Sequence, residues 1–172
     1  MKKLLLLLCI PFAALLSGCE DNQAKPVSSA AIQAEKLRPE FSLPDENGKI
    51  RNIKEWDGKV LVINFWATWC PPCRKEMPAF IELQEEYGKQ GLQFIGVAID
   101  DPEKVVDFMD TYGVNYPMLI GDIKAIEVSK SYGNRFGALP YTVIVSRQGE
   151  MTFVQRGELT KEAAEAQIKP LL

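Results

Sequence analysis

The chain of 172 residues contains no histidine. Histidine supplies the usual general base beside a nucleophilic cysteine, and it is the commonest side-chain ligand of metals. Its absence excludes cysteine–histidine catalysis and most zinc or copper sites. Positive charge is not in excess either, since the formal net charge is −3 and the sequence pI is about 5.2. Nucleic-acid-binding proteins usually carry a clustered basic face, so we expect no nucleic-acid partner.

Cysteine is scarce as well, and its four positions are Cys9, Cys19, Cys70 and Cys73. The first two lie in or beside a segment with the composition of a targeting sequence, which leaves one pair for the folded part. A structural zinc site usually takes four cysteine or histidine ligands. A structural disulfide across so short a span would constrain little of the unfolded chain. We therefore favour a redox-active dithiol and predict no metal and no other cofactor.

The N-terminal segment has the pattern of an export signal. Two lysines precede the apolar run Leu4–Leu16, which is shorter than the ~20 residues of a membrane span and typical of a signal-peptide core. Residues 16–19, Leu-Ser-Gly-Cys, resemble a bacterial lipobox, in which Cys19 would be lipidated. An ordinary secretory signal is the alternative. We predict a lipoprotein signal peptide at 1–18 and a flexible tether at 19–38.

Together, the signal and the tether predict a lipid-anchored protein on the extracytoplasmic side of a bacterial membrane. In a Gram-negative cell this would be the periplasmic side. The membrane would then be contacted through the lipid alone.

Residues 39–172 form one further unit, in which strand and helix patterns alternate. Strands are predicted at Val60–Trp66, Gly91–Ile99, Pro117–Ile120, 140–145 and 151–155, and helices at Arg74–Tyr87, Asp100–Gly113, Ile123–Tyr132 and Thr160–Ile168. Three β–α units thus precede an antiparallel pair. This order predicts an α/β domain with a mixed central sheet and helices on both faces.

The stretch Trp69–Cys73, Trp-Cys-Pro-Pro-Cys, lies where a buried strand leads into a helix. If Cys70 is the N-cap, Pro71 and Pro72 occupy positions where a missing N–H costs little. The helix N-terminus favours a thiolate at Cys70, so we predict an exposed nucleophile there and a buried resolving thiol at Cys73. Because the prolines withhold N–H donors from Cys70, we expect a reducing pair and not a strong oxidant.

Residues 65–73, Phe-Trp-Ala-Thr-Trp-Cys-Pro-Pro-Cys, closely resemble the thioredoxin superfamily. Pro78 matches the kinked active-site helix of that superfamily, and Leu139-Pro140 resembles its cis-proline loop. One additional αβ unit, which includes residues 96–100, resembles the TlpA/ResA/CcmG group of membrane-tethered thioredoxin-like proteins. The resemblance implies a thioredoxin fold with an extra αβ insertion.

The resemblance also implies roles for individual residues. The catalytic set would be Cys70 as attacking thiol, Cys73 as resolving thiol, Pro140 beside the dithiol, and Glu76 as a residue that tunes the thiols or moves a proton. The substrate-binding set would be Trp69, Pro71, Pro72 and the backbone of Leu139.

Three of these assignments have alternatives. Glu76 could be a solvated glutamate paired with neighbouring charges, and Pro140 could be an ordinary trans turn proline. Trp66 and Trp69 are expected to be partly exposed beside the disulfide, or else to serve packing. One departure concerns Asn64, which stands where thioredoxin has a buried aspartate. The proton of Cys73 must therefore leave through Glu76, water or another group.

The leading functional hypothesis is a thiol–disulfide oxidoreductase that reduces protein disulfides. Family analogy suggests cytochrome c maturation or copper-site thiols as its setting, with a membrane electron donor of the DsbD/CcdA type. A dithiol oxidase or isomerase is the main alternative. A peroxiredoxin-like peroxidase expects Thr-x-x-Cys, whereas Thr68 and Cys70 are separated by one residue. A Sco-type copper chaperone would need a wider cysteine spacing and a histidine.

Overall fold

The structure, a computed structural model, describes residues 37–172. The strands are β1 (Ser42–Pro44), β2 (Ile50–Asn52), β3 (Val60–Trp66), β4 (Leu92–Ile99), β5 (Met118–Gly121), β6 (Tyr141–Val145) and β7 (Met151–Arg156). The helices are α1 (Pro71–Tyr87), α2 (Pro102–Tyr112), α3 (Ile123–Ser131) and α4 (Lys161–Ile168), and short 3-10 turns lie at Ile53–Trp56, Gly88–Gln90 and Lys169–Leu171.

The central sheet has five strands in the order β5-β4-β3-β6-β7. Strands β3, β4 and β5 are parallel, whereas β6 runs antiparallel to both β3 and β7. All seven residues of β3 are buried, as expected for a strand covered on both faces. The predicted mixed sheet is confirmed, and the small β1–β2 hairpin lies outside it.

Helices cover both faces of the sheet, as predicted. Alternate residues of β3 belong to two separate apolar clusters, with Val62 in one and Ile63 in the other. Side chains of α1, α2 and α4 fill the first cluster, and α3 with the N-terminal hairpin and its 3-10 turn fills the second. Since β3, β4 and β5 follow one another in one direction, right-handed crossovers place α1 and α2 on the same face. The chain then returns across the sheet to β6 through α3 on the opposite face.

The first described residues dock on the β6–β7 turn. Leu37 forms a β-bridge with Glu150, and the Arg38 N–H donates to the Gly149 carbonyl at 2.8 Å. This turn lies beside the start of β3, because Leu61 pairs with Val145. The chain therefore joins the domain at the end of the sheet opposite to the end of β3 that leads to the cysteines.

The predicted signal peptide, the lipidation site Cys19 and the tether up to residue 36 lie outside the described residues. Leu37 and Arg38, which the sequence analysis placed in the tether, already contact the folded unit. Within residues 37–172, no helix has the length and apolar character to cross a membrane.

Candidate functional site

The two cysteines sit at the start of α1 and are joined as a disulfide. Cys70 is the N-cap, and its sulfur accepts the N–H of Cys73 at 3.4 Å, while its carbonyl accepts the N–H of Arg74 at 3.1 Å. Pro71 and Pro72 occupy the first two helical positions. The predicted N-cap arrangement is confirmed. In the described part of the chain, Cys73 supplies the one hydrogen bond to the Cys70 sulfur.

The expected exposure of two residues beside the disulfide is wrong. Cys70 is only 4% exposed in the disulfide form, because its sulfur is bonded to that of the fully buried Cys73. Trp66 is fully buried, since its ring packs on Phe108 of the inserted helix α2 with centroids 4.8 Å apart. Trp69, by contrast, is 65% exposed and stands next to Cys70 in the chain.

The Leu139-Pro140 peptide bond is cis, as the resemblance implied. Pro140 is buried, and Leu139 packs on the apolar cluster that contains both cysteines. Among the other predicted substrate contacts, Pro71 is exposed and Pro72 is half-buried. The structure thus gathers the predicted substrate-binding residues at the dithiol end of the sheet, and their role in binding stays a prediction.

Glu76 is buried, with 2% of its surface exposed, so the alternative of a solvated glutamate is wrong. Its Oε1 accepts the side-chain N–H of Asn64 at 2.7 Å, and its Oε2 accepts the backbone N–H of Leu159 at 2.9 Å. Glu76 lies three residues after Cys73 on α1, which places both side chains on one face of the helix.

Burial raises the pKa of Glu76 from 4.5 to about 7, against the opposing hydrogen bonds from Leu159 and Asn64. The negative charge of Glu158 adds to the rise. A carboxyl group with a pKa near neutrality takes up and gives back a proton at working pH. This makes Glu76 suited to accept a proton from Cys73.

Asn64 links Glu76 to the opposite strand. It lies in β3 with 1% of its surface exposed, and its Nδ2 also donates to Thr142 Oγ1 in β6 at 2.9 Å. No donor among residues 37–172 reaches its Oδ1. The residue that the sequence analysis treated as a departure from thioredoxin is therefore one member of a buried polar group.

Thr142 and Leu159 were not predicted as partners of this group. A usable signal was present, because Asn64 and Thr142 are polar residues within apolar strands, and buried polar groups almost always have partners. Which partners they find depends on strand register, and Asn64 lies directly opposite Thr142 in the β3–β6 pairing.

Asp100 holds the turn that leads to the cysteines. Its Oδ2 accepts the backbone N–H of Thr68 at 2.9 Å and also the Thr68 hydroxyl, and its Oδ1 accepts the N–H of Asp101. Burial acts to raise the pKa of Asp100, but these hydrogen bonds and Lys104 outweigh it and lower that pKa. The sequence predicts a helix start at Asp100, whereas Asp101 caps α2.

A further exposed aromatic residue was also missed. The buried side chain of Asn134 donates to the Ala138 carbonyl at 2.8 Å and accepts the Ala138 N–H at 3.1 Å, which closes the loop before Pro140. Phe136 lies in this loop and is 95% exposed. Trp69 precedes Cys70 directly and Phe136 lies in the loop before Pro140, and both side chains are exposed.

In the described range no group of three or more histidine, cysteine, aspartate or glutamate side chains is arranged to hold a metal ion.

Comparisons with known proteins give a consistent result. The AhpC/TSA family model matches residues 35–154. The thiol-disulfide oxidoreductase ResA of Halalkalibacterium halodurans is 38% identical over 126 residues, which cover 73% of this chain and 69% of that protein. ResA of Bacillus thuringiensis strain Al Hakam is 33% identical over 175 residues, with 99% of each chain covered.

Solved structures agree with these relatives. A thiol:disulfide interchange protein of the thioredoxin family from Chlorobium tepidum TLS superposes with a TM-score of 0.72 and 28% identity, covering 79% of this chain and 95% of that one. A thiol-disulfide oxidoreductase from Bacteroides fragilis superposes with a TM-score of 0.69 and 25% identity, covering 80% and 100%.

Proposed function

Because the chain belongs to the AhpC/TSA family and is a ResA-like thiol-disulfide oxidoreductase, we propose that it reduces protein disulfides outside the cytoplasm. The resemblance to the ResA group and the thioredoxin fold are confirmed. The proposal adds the direction of electron flow, the compartment and the lipid anchor at Cys19.

The observation that carries the direction is the sparse hydrogen bonding of the Cys70 sulfur. Prolines fill the first two helical positions, and the Cys73 N–H makes a long contact of 3.4 Å. A strong dithiol oxidant arises when the reduced form is stabilised. Weak stabilisation of the Cys70 thiolate has the opposite effect, so it favours the disulfide form of this protein and makes its dithiol a good electron donor.

The geometry supports a two-step exchange. The Cys70 thiolate attacks one sulfur of the substrate disulfide, and the other substrate sulfur leaves with the bonding electron pair. Cys73 then gives its proton to Glu76, and the Cys73 thiolate attacks the Cys70 sulfur of the mixed disulfide. The second substrate sulfur leaves, and the Cys70–Cys73 disulfide forms.

The Cys70–Cys73 disulfide must be reduced again before the next cycle. We propose a membrane electron donor of the DsbD/CcdA type for this step, because an extracytoplasmic reductase needs a source of electrons in an oxidising compartment. Apocytochrome c thiols or copper-site thiols are the proposed targets, by analogy with the family.

The equilibrium reduction potential of the purified protein tests the direction. In glutathione or dithiothreitol buffers we expect a value close to that of thioredoxin, about −270 mV. A value near the about −120 mV of a strong periplasmic oxidant would instead support the oxidase alternative.

Partners can be identified by trapping. The Cys73→Ala variant forms a mixed disulfide through Cys70 that cannot resolve, so substrates and the electron donor should accumulate as covalent adducts. The double variant that also lacks Cys70 is the matched control, and adducts that persist in it would contradict the assigned roles.

The peroxidase alternative has less support. A peroxidatic site expects a threonine hydroxyl at the reactive cysteine, yet the Thr68 hydroxyl donates to Asp100. A close second cysteine also follows Cys70, as in dithiol oxidoreductases.

A further inference from the structure

The hydrogen bonds to the Glu76 carboxylate limit where it can bind a proton. Oε2 accepts the backbone N–H of Leu159. A backbone N–H can only donate, so it could not accept a hydrogen bond from a proton on Oε2. Oε1 faces the amide of Asn64, which presents an N–H₂ donor on one side and a carbonyl acceptor on the other. A proton on Oε1 would point at the Asn64 N–H₂ group, so the observed arrangement suits the carboxylate and opposes the neutral acid.

The Asn64 amide has an unused acceptor. Its Nδ2 donates to both Glu76 Oε1 at 2.7 Å and Thr142 Oγ1 at 2.9 Å, while no donor in the described chain reaches its buried Oδ1. A half-turn of the planar amide exchanges the positions of Nδ2 and Oδ1. Oδ1 then faces Glu76 and Thr142, and both partners can donate to it, because a hydroxyl is both donor and acceptor.

We propose that Asn64 is a positioning residue whose side-chain amide turns over when Glu76 takes up a proton. With the carboxylate, Nδ2 faces Glu76 and Thr142. With the acid, the Glu76 hydroxyl and the Thr142 hydroxyl both donate to Asn64 Oδ1. The amide thus keeps a hydrogen bond to Glu76 and a hydrogen bond to Thr142 in both orientations.

The step balances within the proposed exchange, on which this inference rests for the source of the proton. The proton passes from the Cys73 thiol to Glu76 Oε1, and the electron pair left on the Cys73 sulfur forms the bond to Cys70. The substrate sulfur leaves with the electrons of the broken bond, and the Asn64 amide turns as the carboxyl becomes neutral.

The other ionisable groups around Glu76 do not compete for this proton. Glu158 lies next to Leu159 and is paired with Lys75 at 2.9 Å. Tyr116 is buried, its hydroxyl donates to the Met77 sulfur, and burial and the charge of Glu76 raise its pKa far above neutrality. Cys73, on the same helix, is the remaining ionisable group, and it does not titrate while it is part of the disulfide.

The direct test is the orientation of the Asn64 amide in the disulfide form of the intact protein, measured by NMR between pH 5 and 9. We expect cross-peaks from the Asn64 N–H₂ protons to the Thr142 and Glu76 side chains at high pH. They should be lost at low pH, with the same midpoint as the Glu76 carboxyl carbon. Cross-peaks that persist through the Glu76 titration would overturn the proposal.

This measurement needs no substrate and no variant, so it is independent of the proposed direction of electron flow. A protein with the potential of an oxidase could still show the turn, and a reductase could lack it. Glu158→Gln is the matched control, because it removes a nearby charge but keeps Asn64, Glu76 and Thr142. The turn should persist in it with a lower midpoint, and its loss there would also count against the proposal.

A kinetic readout separates positioning from simple packing. Asn64→Leu keeps the size of the side chain but removes both the donor and the acceptor. We expect resolution of a preformed Cys70 mixed disulfide to slow about tenfold or more, since a general base supplies about 10²–10⁴-fold. The midpoint of its pH profile should also rise, because the carboxylate has lost a donor. A slower rate with an unchanged pH profile would indicate a structural role only.

Discussion

Glu76 is the residue whose ionisation should affect both stability and chemistry. Its pKa is about 7 in the folded protein, against an ordinary value of 4.5. The folded state therefore holds the proton more tightly than the unfolded state between these two pH values. Stability must then fall as the pH rises from about 4.5 to about 7. At 1.36 kcal/mol per pH unit the loss approaches about 3 kcal/mol.

Replacing Glu76 by Gln should remove this pH dependence. We expect the free energy of unfolding of the disulfide form to decrease between pH 5 and 8 in the wild type by about 2–3 kcal/mol from this group. It should change far less in Glu76→Gln, measured by denaturant titration at each pH. Glu85→Gln, an exposed position on the same helix, is the control. Equal pH dependence in the wild type and Glu76→Gln would contradict the assignment.

Asp100 should stabilise the turn before Cys70 through its bonds to Thr68. Hydrogen bonds to a charged group contribute about 1.5–3 kcal/mol, so Asp100→Ala should lower the free energy of unfolding by about that amount at pH 7. The contribution is present above the ordinary aspartate pKa and is lost as the pH falls through the depressed folded-state value.

Thr68→Val is the milder companion of Asp100→Ala, because it keeps the backbone N–H bond at 2.9 Å and removes only the hydroxyl. We expect a loss of about 1 kcal/mol in thermal or denaturant unfolding. Variants as stable as the wild type at pH 7 would show that this contact does not anchor the turn.

At the residue scale, local spacing predicted Cys70 and Cys73, and the family resemblance implied the cis peptide bond before Pro140. Local spacing could not predict the partners of Asn64, which lie 12 and 78 residues away in the chain. Contacts of that kind follow from strand register and helix rotation, which are properties of the folded sheet.

We expect the first turn of helix α1 to set the redox potential of the dithiol. An N-cap side chain accepts hydrogen bonds from the second and third helical positions, and the second is Pro72. Pro72→Ala adds one N–H donor to the Cys70 thiolate, whereas Pro71→Ala adds an N–H that does not reach the cap. The two prolines are therefore a matched pair.

We expect Pro72→Ala to make the reduction potential more oxidising by about 20–40 mV, which corresponds to about 1–2 kcal/mol for two electrons. Pro71→Ala should change it much less. Equilibration with glutathione at known ratios gives both values. Equal shifts in the two variants would mean that the N–H donors do not control the potential.

The loop that displays Phe136 is an element held by one buried side chain. Asn134 bonds both the N–H and the carbonyl of Ala138, which fixes the two ends of the loop relative to each other. Phe136 is 95% exposed on this loop, and we expect it to contact protein substrates. Loops of this kind commonly carry function.

Phe136→Ala should raise KM for protein disulfides several-fold and leave the rate with a small disulfide unchanged. Stability should change by less than about 0.5 kcal/mol, because the side chain is exposed. Val154→Ala, an exposed apolar residue on the edge strand β7, is the control. Equal KM values in the wild type and Phe136→Ala would show that Phe136 does not contribute to substrate binding.

For the whole molecule, the order of strands and helices predicted the architecture well, because three β–α units followed by a hairpin allow few topologies. For Trp66, packing was predicted only as the alternative to partial exposure, and that alternative is confirmed. The burial of Trp66 depends on its contact with Phe108 of helix α2. Helix α2 lies over the end of β3 because the inserted unit adds its strand, β5, to the sheet beside β4. Packing between distant elements is the part that local patterns do not contain.

The proposed anchor is also a property of the whole molecule. Cys19→Ala should move the protein from the membrane fraction to the soluble fraction and abolish labelling by a fatty acid, because a diacylated N-terminus needs that cysteine. The Cys9→Ala variant should remain in the membrane fraction. A membrane-bound, unlabelled wild type would contradict lipidation.

The chain joins the domain beside the β6–β7 turn, at the far end of the sheet from the dithiol. The seven residues of β3 separate the two ends by about 23 Å. A support attached directly at Leu37 would therefore lie at the opposite end of the domain from the disulfide. Immobilising the domain at that residue would present the reactive pair to solution.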